Sequence, residues 1–290
     1  MAATIIDGKA IAGQIRSEVA ERVQALTQRG VPPGLAAVLV GDDPASHLYV
    51  SAKQKDSADV GIRSERVELP AATSQSDVLA EMERLNADPA IHGIIVQLPL
   101  PEQVDELTVQ RAVDPAKDVD GLNPMSVGLM VRGEPTFLPA TPFGIVELLH
   151  RSGIPTKGAE AVIIGRGMLV GMPLSIMLSQ KSPRANATVT LCHTGTRNLI
   201  AHTLRADILV VASGRPRTVT GPMVKPGATV IDVGTNRDDD GTLVGDVHFD
   251  QVKHVAGAIT PVPGGVGPMT RAMLLVNTVT AAERSNAAAT

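Results

Sequence analysis

Ala161-Val-Ile-Ile-Gly165-Arg-Gly167-Met-Leu-Val-Gly171-Met-Pro173 is the stretch on which the reading of this chain turns. A short apolar run of strand character enters a glycine turn, and a helix start follows. Glycine lets a backbone turn tightly and approach a phosphate, and the unpaired N–H groups at a helix start attract that anion. Strand, glycine turn and helix in this order make the dinucleotide fingerprint of a Rossmann-type unit. The spacing fits at Gly165 and Gly167, while Gly171 comes one residue late. On its own the turn reads equally well as a nucleotide site or as an ordinary strand–helix connection.

Outward from this turn, strand and helix alternate in both directions. Downstream the pattern predicts a helix over about 170–179, a strand at 188–192 and a helix near 198–204. Strands at 207–212 and 229–233 follow, then the rigid loop Pro261-Val-Pro-Gly-Gly-Val-Gly-Pro268 and a last helix from Met269 to Arg284, with a frayed tail over 286–290. Upstream, Ile11, Ile15, Val19, Val23 and Leu26 recur at helical spacing between Asp7, a capping residue, and Gly30, a stop. Leu35-Ala-Ala-Val-Leu-Val40 is a continuous apolar run, as expected of a strand covered on both faces. Asp43 as cap and Pro44 at the first helical position open the next helix. A strand near 65–69, a helix over about 76–86 and the strand Gly93-Ile-Ile-Val96 complete this half. Residues 114–139, with Pro115, Pro124, Pro135 and Pro139 and little periodicity, read as a connection. The expected fold is therefore α/β, with a parallel sheet in an N-terminal domain of residues 1–140, joined by the C-terminal helix 268–290. A Rossmann-type domain spans 141–267.

Composition narrows the function classes. A hydrophobic fraction of 43% with 19% charged residues describes a soluble globular protein, and a net charge of −4 gives no reason to expect nucleic acid. No apolar stretch reaches membrane-spanning length and no basic-then-apolar leader is visible, so a cytoplasmic address is expected. The single cysteine, Cys192, excludes an internal disulfide and reads as a buried structural thiol; no metal site is expected. With no Trp, three Phe and one Tyr, the core must be aliphatic, and the lone Tyr49 stands out.

Tyr49 and Lys53 are four apart on one helix and share a face. Their helix starts where a buried strand ends, and ligands of parallel α/β sheets bind at the carboxyl ends of strands. Gln97 leaves a second strand, and the Lys117-Asp-Val-Asp120-Gly121 turn reaches the same edge, so four side chains are placed to converge. Singly, each has an ordinary structural reading: a core-edge aromatic, a solvated lysine, a turn former. In the other half, an NAD site would end its second strand with an acid. Here that strand ends Cys192-His193-Thr194-Gly195-Thr196-Arg197, without one, and Arg166 and Arg197 suit a 2′-phosphate instead, so NADP is expected over NAD. Asp232 and Asp246 read as structural.

Gly41-Asp-Asp-Pro-Ala-Ser46-His-Leu-Tyr49-Val-Ser-Ala-Lys53, Val96-Gln97-Leu-Pro-Leu-Pro101, Lys117-Asp-Val-Asp120-Gly121 and Pro261-Val-Pro-Gly-Gly-Val-Gly-Pro-Met-Thr270 resemble the bifunctional methylenetetrahydrofolate dehydrogenase/methenyltetrahydrofolate cyclohydrolases. So does the glycine turn ending Val170-Gly171-Met-Pro173, and the resemblance runs in order from about residue 6 to 284. It implies a two-domain protomer, paired as a homodimer, that binds tetrahydrofolate derivatives in a cleft between its domains. By that resemblance Tyr49 stacks on the aminobenzoyl ring, Lys53 serves the chemistry with Gln97 bonded to it, and Asp120 holds the polar edge of the pterin. Leu98, Pro263, Gly264 and Gly265 join the substrate contacts. Gly165, Arg166, Gly167, Gly171, Thr194 and Thr235 take the NADP positions. The chain departs from the family's usual pattern at Gly167, at Thr194-Gly195 and at Thr235, all on the cofactor side.

The implied activity is NADP-dependent oxidation of 5,10-methylenetetrahydrofolate to the methenyl form, then hydrolysis to 10-formyltetrahydrofolate, within one-carbon metabolism. A free lysine, with a pKa of ~10.4, is a poor base at neutral pH, and desolvation or a nearby cation lowers it. The alternative is a two-domain NADP dehydrogenase acting on a small hydroxy or keto acid through the Tyr49/Lys53 pair.

Overall fold

The computed structural model describes residues 2–134, 136–238 and 240–289. From the N-terminus, β1 (Thr4–Ile5) leads through α1 (Gly8–Gln28), β2 (Gly34–Val40), α2 (Pro44–Asp59), β3 (Arg63–Leu69), α3 (Gln75–Ala87) and β4 (Gly93–Val96) to three helices, α4 (Glu106–Ala112), α5 (Pro124–Arg132) and α6 (Ala140–Arg151). Then come β5 (Glu160–Ile164), α7 (Gly171–Ser179), β6 (Thr188–Cys192), α8 (Leu199–Thr203), β7 (Ile208–Val211) and β8 (Thr229–Asp232). A small hairpin of β9 (Asn236–Arg237) and β10 (Leu243–Val244), α9 (Phe249–Val252), β11 (Ala258–Ile259) and α10 (Val266–Ala289) complete the chain. It divides into two compact units, Gln14–Ala140 with Arg271–Thr290, and Met1–Gly13 with Thr141–Thr270.

In the first of these, a parallel sheet has the order β3-β2-β4. The central strand β2 is buried along its whole length, which is why its sequence is an unbroken apolar run. Strand β3, at the edge, carries Arg63, Glu65, Arg66 and Glu68, charges that discourage pairing with another chain. A parallel bridge from Ile94 to Asp118 extends the sheet beyond β4. Val38, Val40, Val78, Met82, Leu85, Ile94 and Val109 form the core beneath, aliphatic as the composition requires. Helix α10 is fixed in this unit by Asn277, whose Nδ2 donates to the carbonyls of Val119 at 2.8 Å and Leu138 at 3.0 Å.

In the second unit six strands run parallel in the order β1-β11-β8-β7-β5-β6. The chain leaves β5 for β6 on one side and returns to β7 on the other. The carboxyl end of β5, where Gly165 lies, is therefore the topological switch point at which such sheets bind ligands.

Three expectations are corrected. Residues 2–13 belong with the six-stranded sheet and not with 14–140, because β1 pairs with β11: Ala3 N–H donates to Lys253 O and Ile6 N–H to Ile259 O, both at 2.8 Å. The stretch 114–139 is not merely a connection. Asn123 caps α5 with its side chain accepting from Met125 N–H, Pro124 takes the first helical turn, and Gly133 closes it in the left-handed region. Pro135 lies outside the described residues. Lastly, α10 starts at Val266 and runs through Ala289, in keeping with alanine's helix preference; Thr290 is likewise outside. Among the described residues no helix is long and apolar enough to cross a membrane.

Candidate active site

The carboxyl edge of the three-stranded sheet collects the polar side chains of the first unit. The N-terminus of α2 is set by Asp43, whose Oδ2 accepts from the N–H and hydroxyl of Ser46 at 2.8 and 2.7 Å. One turn into α2, Tyr49 holds its ring half exposed, at 51%, so a planar ligand has access to it. A turn further, Lys53 Nζ donates to Gln97 Oε1 at 3.2 Å. Gln97 continues the ladder beyond β4, its N–H donating to Val38 O at 2.8 Å. Its Nε2 donates to Leu98 O at 2.7 Å. This second bond fixes which end of the amide faces the lysine: turned over, two donors would oppose each other.

Asp120 lies on the third arm of this edge, part-buried two residues past the Asp118 bridge. Burial pushes its carboxyl up from the usual range, and the Lys53 charge pulls it back down. Three of the four expected side chains thus interact, and Tyr49 shares the helix that presents Lys53. Asp118 is a further member of this edge. Buried at 4%, its oxygens accept from Leu122 N–H at 3.1 Å and Asn123 N–H at 2.9 Å, so it shapes the turn that presents Asp120. Burial drives its pKa up to about 6, opposed by the backbone hydrogen bonds from Asn123 and Leu122 and reinforced by the Asp120 charge. Its only sequence signal was the Asp-Val-Asp alternation around a fully buried Val119.

On the second unit's sheet edge, Gly165 has φ +113° and a side chain there would overlap the carbonyl oxygen of Ala212. A side chain at Gly171 would in turn strike the carbonyl of Gly165. The turn is therefore packed backbone against backbone, and the late third glycine is required by the helix start itself. At Gly167 a side-chain methyl would find nothing within 4 Å, so no steric demand keeps glycine there. Arg166, Thr194, Arg197 and Thr235 are exposed. Two exposed guanidinium-bearing loops and no acid after β6 are a donor set that fits a 2′-phosphorylated nucleotide.

Cys192 and His193 take structural places. Cys192 is buried, and burial raises its thiol pKa. His193 is a loop clasp, its Nδ1 accepting from Gly195 N–H at 3.1 Å. Pro263, Gly264 and Gly265 form the loop between β11 and α10; the Gly264 carbonyl accepts from Lys9 N–H at 2.9 Å.

Known proteins similar to this chain share one family. Residues 6–120 match the tetrahydrofolate dehydrogenase/cyclohydrolase catalytic domain, and residues 139–286 match the NAD(P)-binding domain of the same family. The bifunctional protein FolD of Bordetella avium is 55% identical over 285 residues, 98% of this chain and 99% of that protein. The crystal structure of the bifunctional methylenetetrahydrofolate dehydrogenase/cyclohydrolase of Campylobacter jejuni superposes with a TM-score of 0.95 at 44% identity, covering 98% of this chain and 99% of the other. That of the Trypanosoma brucei dehydrogenase-cyclohydrolase, complexed with NADP and an inhibitor, gives 0.93 at 41% identity, covering 99% of each.

Proposed function

The chain belongs to the tetrahydrofolate dehydrogenase/cyclohydrolase family, and from that premise we infer how its side chains divide two reactions on one folate. The enzyme oxidises 5,10-methylenetetrahydrofolate to the methenyl form with NADP and hydrolyses that product to 10-formyltetrahydrofolate. Action on a small hydroxy or keto acid is not favoured, since relatives matching along the whole chain act in folate chemistry.

NADP supplies the hydride acceptor for the first step. The chain supplies alignment, which in a bimolecular transfer removes much of the barrier. Tyr49 offers its exposed ring to the aminobenzoyl group, and the Asp120 carboxylate accepts hydrogen bonds from the pterin edge, with Leu98 and the Pro263–Gly265 backbone as further folate contacts. Gly165, Gly167 and Gly171 bring backbone to the pyrophosphate, while Arg166, Thr194 and Thr235 address the rest of the nucleotide. In the second step water adds to the methenyl carbon and gives up one proton; the bond from that carbon to N5 then breaks as the remaining hydroxyl proton passes to N5 and the C–O bond becomes the formyl carbonyl. Lys53 exchanges these protons. Gln97 can only accept from it, so the amine is held at a fixed place with its other positions turned to the substrate.

The observation that carries this reading is the Lys53–Gln97 bond beside the Asp120 charge. An assay with methylenetetrahydrofolate, run in parallel with NADP and NAD, tests it by following nicotinamide reduction and methenyl absorbance separately. Reduction with NADP and decay of the methenyl band are expected; no reduction with either nucleotide overturns it. A homodimeric assembly and a cytoplasmic location accompany this reading, and sedimentation at twice the chain mass tests the first.

A further inference from the structure

We propose that Asp246 is a positioning residue for the nucleotide edge, its carboxylate tying the turn after β7 to the turn after β8. Asp246 is fully buried. Its Oδ2 accepts from two successive backbone N–H groups, Ser213 at 2.6 Å and Gly214 at 2.8 Å. Its Oδ1 accepts from Asn236 Nδ2 at 2.8 Å. Ser213 and Gly214 follow Ala212, the residue whose carbonyl forms the floor under Gly165. Asn236 follows Thr235. One carboxylate therefore fixes two strand-end turns relative to each other, and both turns border positions assigned to the nucleotide.

Asp232 holds Asp246 in place. Its Oδ1 accepts from the N–H groups of Gly234 and Asp246, both at 2.9 Å, and its Oδ2 from Val247 N–H at 3.0 Å. The two carboxylates sit so close to the backbone that side chains at Gly234 and Gly245 would strike Asp246 and Asp232 respectively. A buried carboxylate saturated by main-chain donors is rigid, and its loss leaves those donors buried without partners. Burying two acids costs more than a neutral turn would, and the return is a strand-end geometry held to a fraction of an ångström, which a nucleotide site requires.

This inference rests on the assignment of the nucleotide to this sheet edge. Its test exploits the second activity, which uses no nucleotide and so reports folding separately. Asp246→Ala, Asp246→Asn and Asn236→Ala are compared with the unaltered protein by calorimetric NADP binding, methenyl hydrolysis and amide hydrogen exchange of the nucleotide-free protein. Asp246→Ala is expected to weaken NADP about tenfold or more, because small misplacements of a binding edge carry such factors. Exchange at Ser213 and Gly214 should accelerate while methenyl hydrolysis stays within about twofold. Asp246→Asn should recover most of the affinity, since its amide oxygen can still serve the two backbone donors while Asn236 turns its own amide over. Unchanged NADP affinity in folded Asp246→Ala, or unchanged exchange at 213–214, overturns the proposal. If Asp246→Ala loses methenyl hydrolysis as well, Asn236→Ala decides: weakened NADP binding with intact hydrolysis supports the clamp, and unchanged binding overturns it. Should the unaltered protein not bind NADP, the nucleotide assignment fails, and hydrogen exchange still decides whether the clamp exists.

Discussion

Lys53 Nζ lies 3.2 Å from Gln97 Oε1, although 44 residues separate them in the chain. The bond exists because the sheet places the end of β4 beside the end of β2, whose following helix carries the lysine. Gln97 is oriented in turn by its own bond to Leu98 O.

From this relationship, Lys53→Met should lower methenyl hydrolysis by about 10²–10⁴-fold, the range of a lost proton-transfer group. Gln97→Ala should lower it by about tenfold, with the lysine kept but no longer held. Folate affinity should change little in either, measured by equilibrium binding. Undiminished hydrolysis in Lys53→Met would remove the lysine from the mechanism.

Tyr49 is the only tyrosine, and there is no tryptophan, so intrinsic fluorescence reports this one ring. Saturating folate should change the tyrosine emission, and Tyr49→Ala should raise the folate KM through lost stacking of about 0.5–1.5 kcal/mol. Emission that ignores folate would place the substrate elsewhere.

Burial holds Asp118 at about 6 in the folded chain against the usual 3.8. The folded state therefore binds more protons than the unfolded state between roughly pH 4 and 6, and stability falls as pH rises through that window. A shift of this size corresponds to roughly 3 kcal/mol at most. Asp118→Asn removes the titration, so the stability of the native chain relative to this variant should decline from pH 4.5 to 7 in urea unfolding. A difference that stays flat or grows with pH would contradict the assignment. Asp232, also raised by burial to about 6, should behave in the same sense.

The two glycines of the turn should respond differently. Gly165→Ala combines a positive φ with overlap onto Ala212 and should cost at least ~2 kcal/mol along with NADP binding. Gly167→Ser meets open space and should stay within about 0.5 kcal/mol in thermal unfolding. Equal losses for both would mean that the turn is packed otherwise.

Much of the architecture was legible because its signals are local. The apolar run at 35–40, the Asp43-Pro44 cap and the helical spacing of Ile15, Val19 and Val23 each act over a few residues of backbone. The same rules should have given α5, since Asn123-Pro124 and Gly133 are capping signals, but the surrounding prolines masked the periodicity of so short a helix. Strand β1 could not be read: two residues have no period, and its hydrogen bonds go to residues more than 250 positions away.

By itself, the sequence determined that strands and helices alternate, that the core is aliphatic, and that Tyr49 and Lys53 face the same way, because the pitch of the helix decides that without any partner. It also carried the family motifs from which the folate and NADP chemistry followed. Only the tertiary structure decided that Gln97 meets Lys53, that Asp118 shapes the turn presenting Asp120, and that Asp232 and Asp246 bind strand-end turns. Those relations depend on strand order, which is settled by burial of whole sheet faces and not by any local preference of the residues concerned.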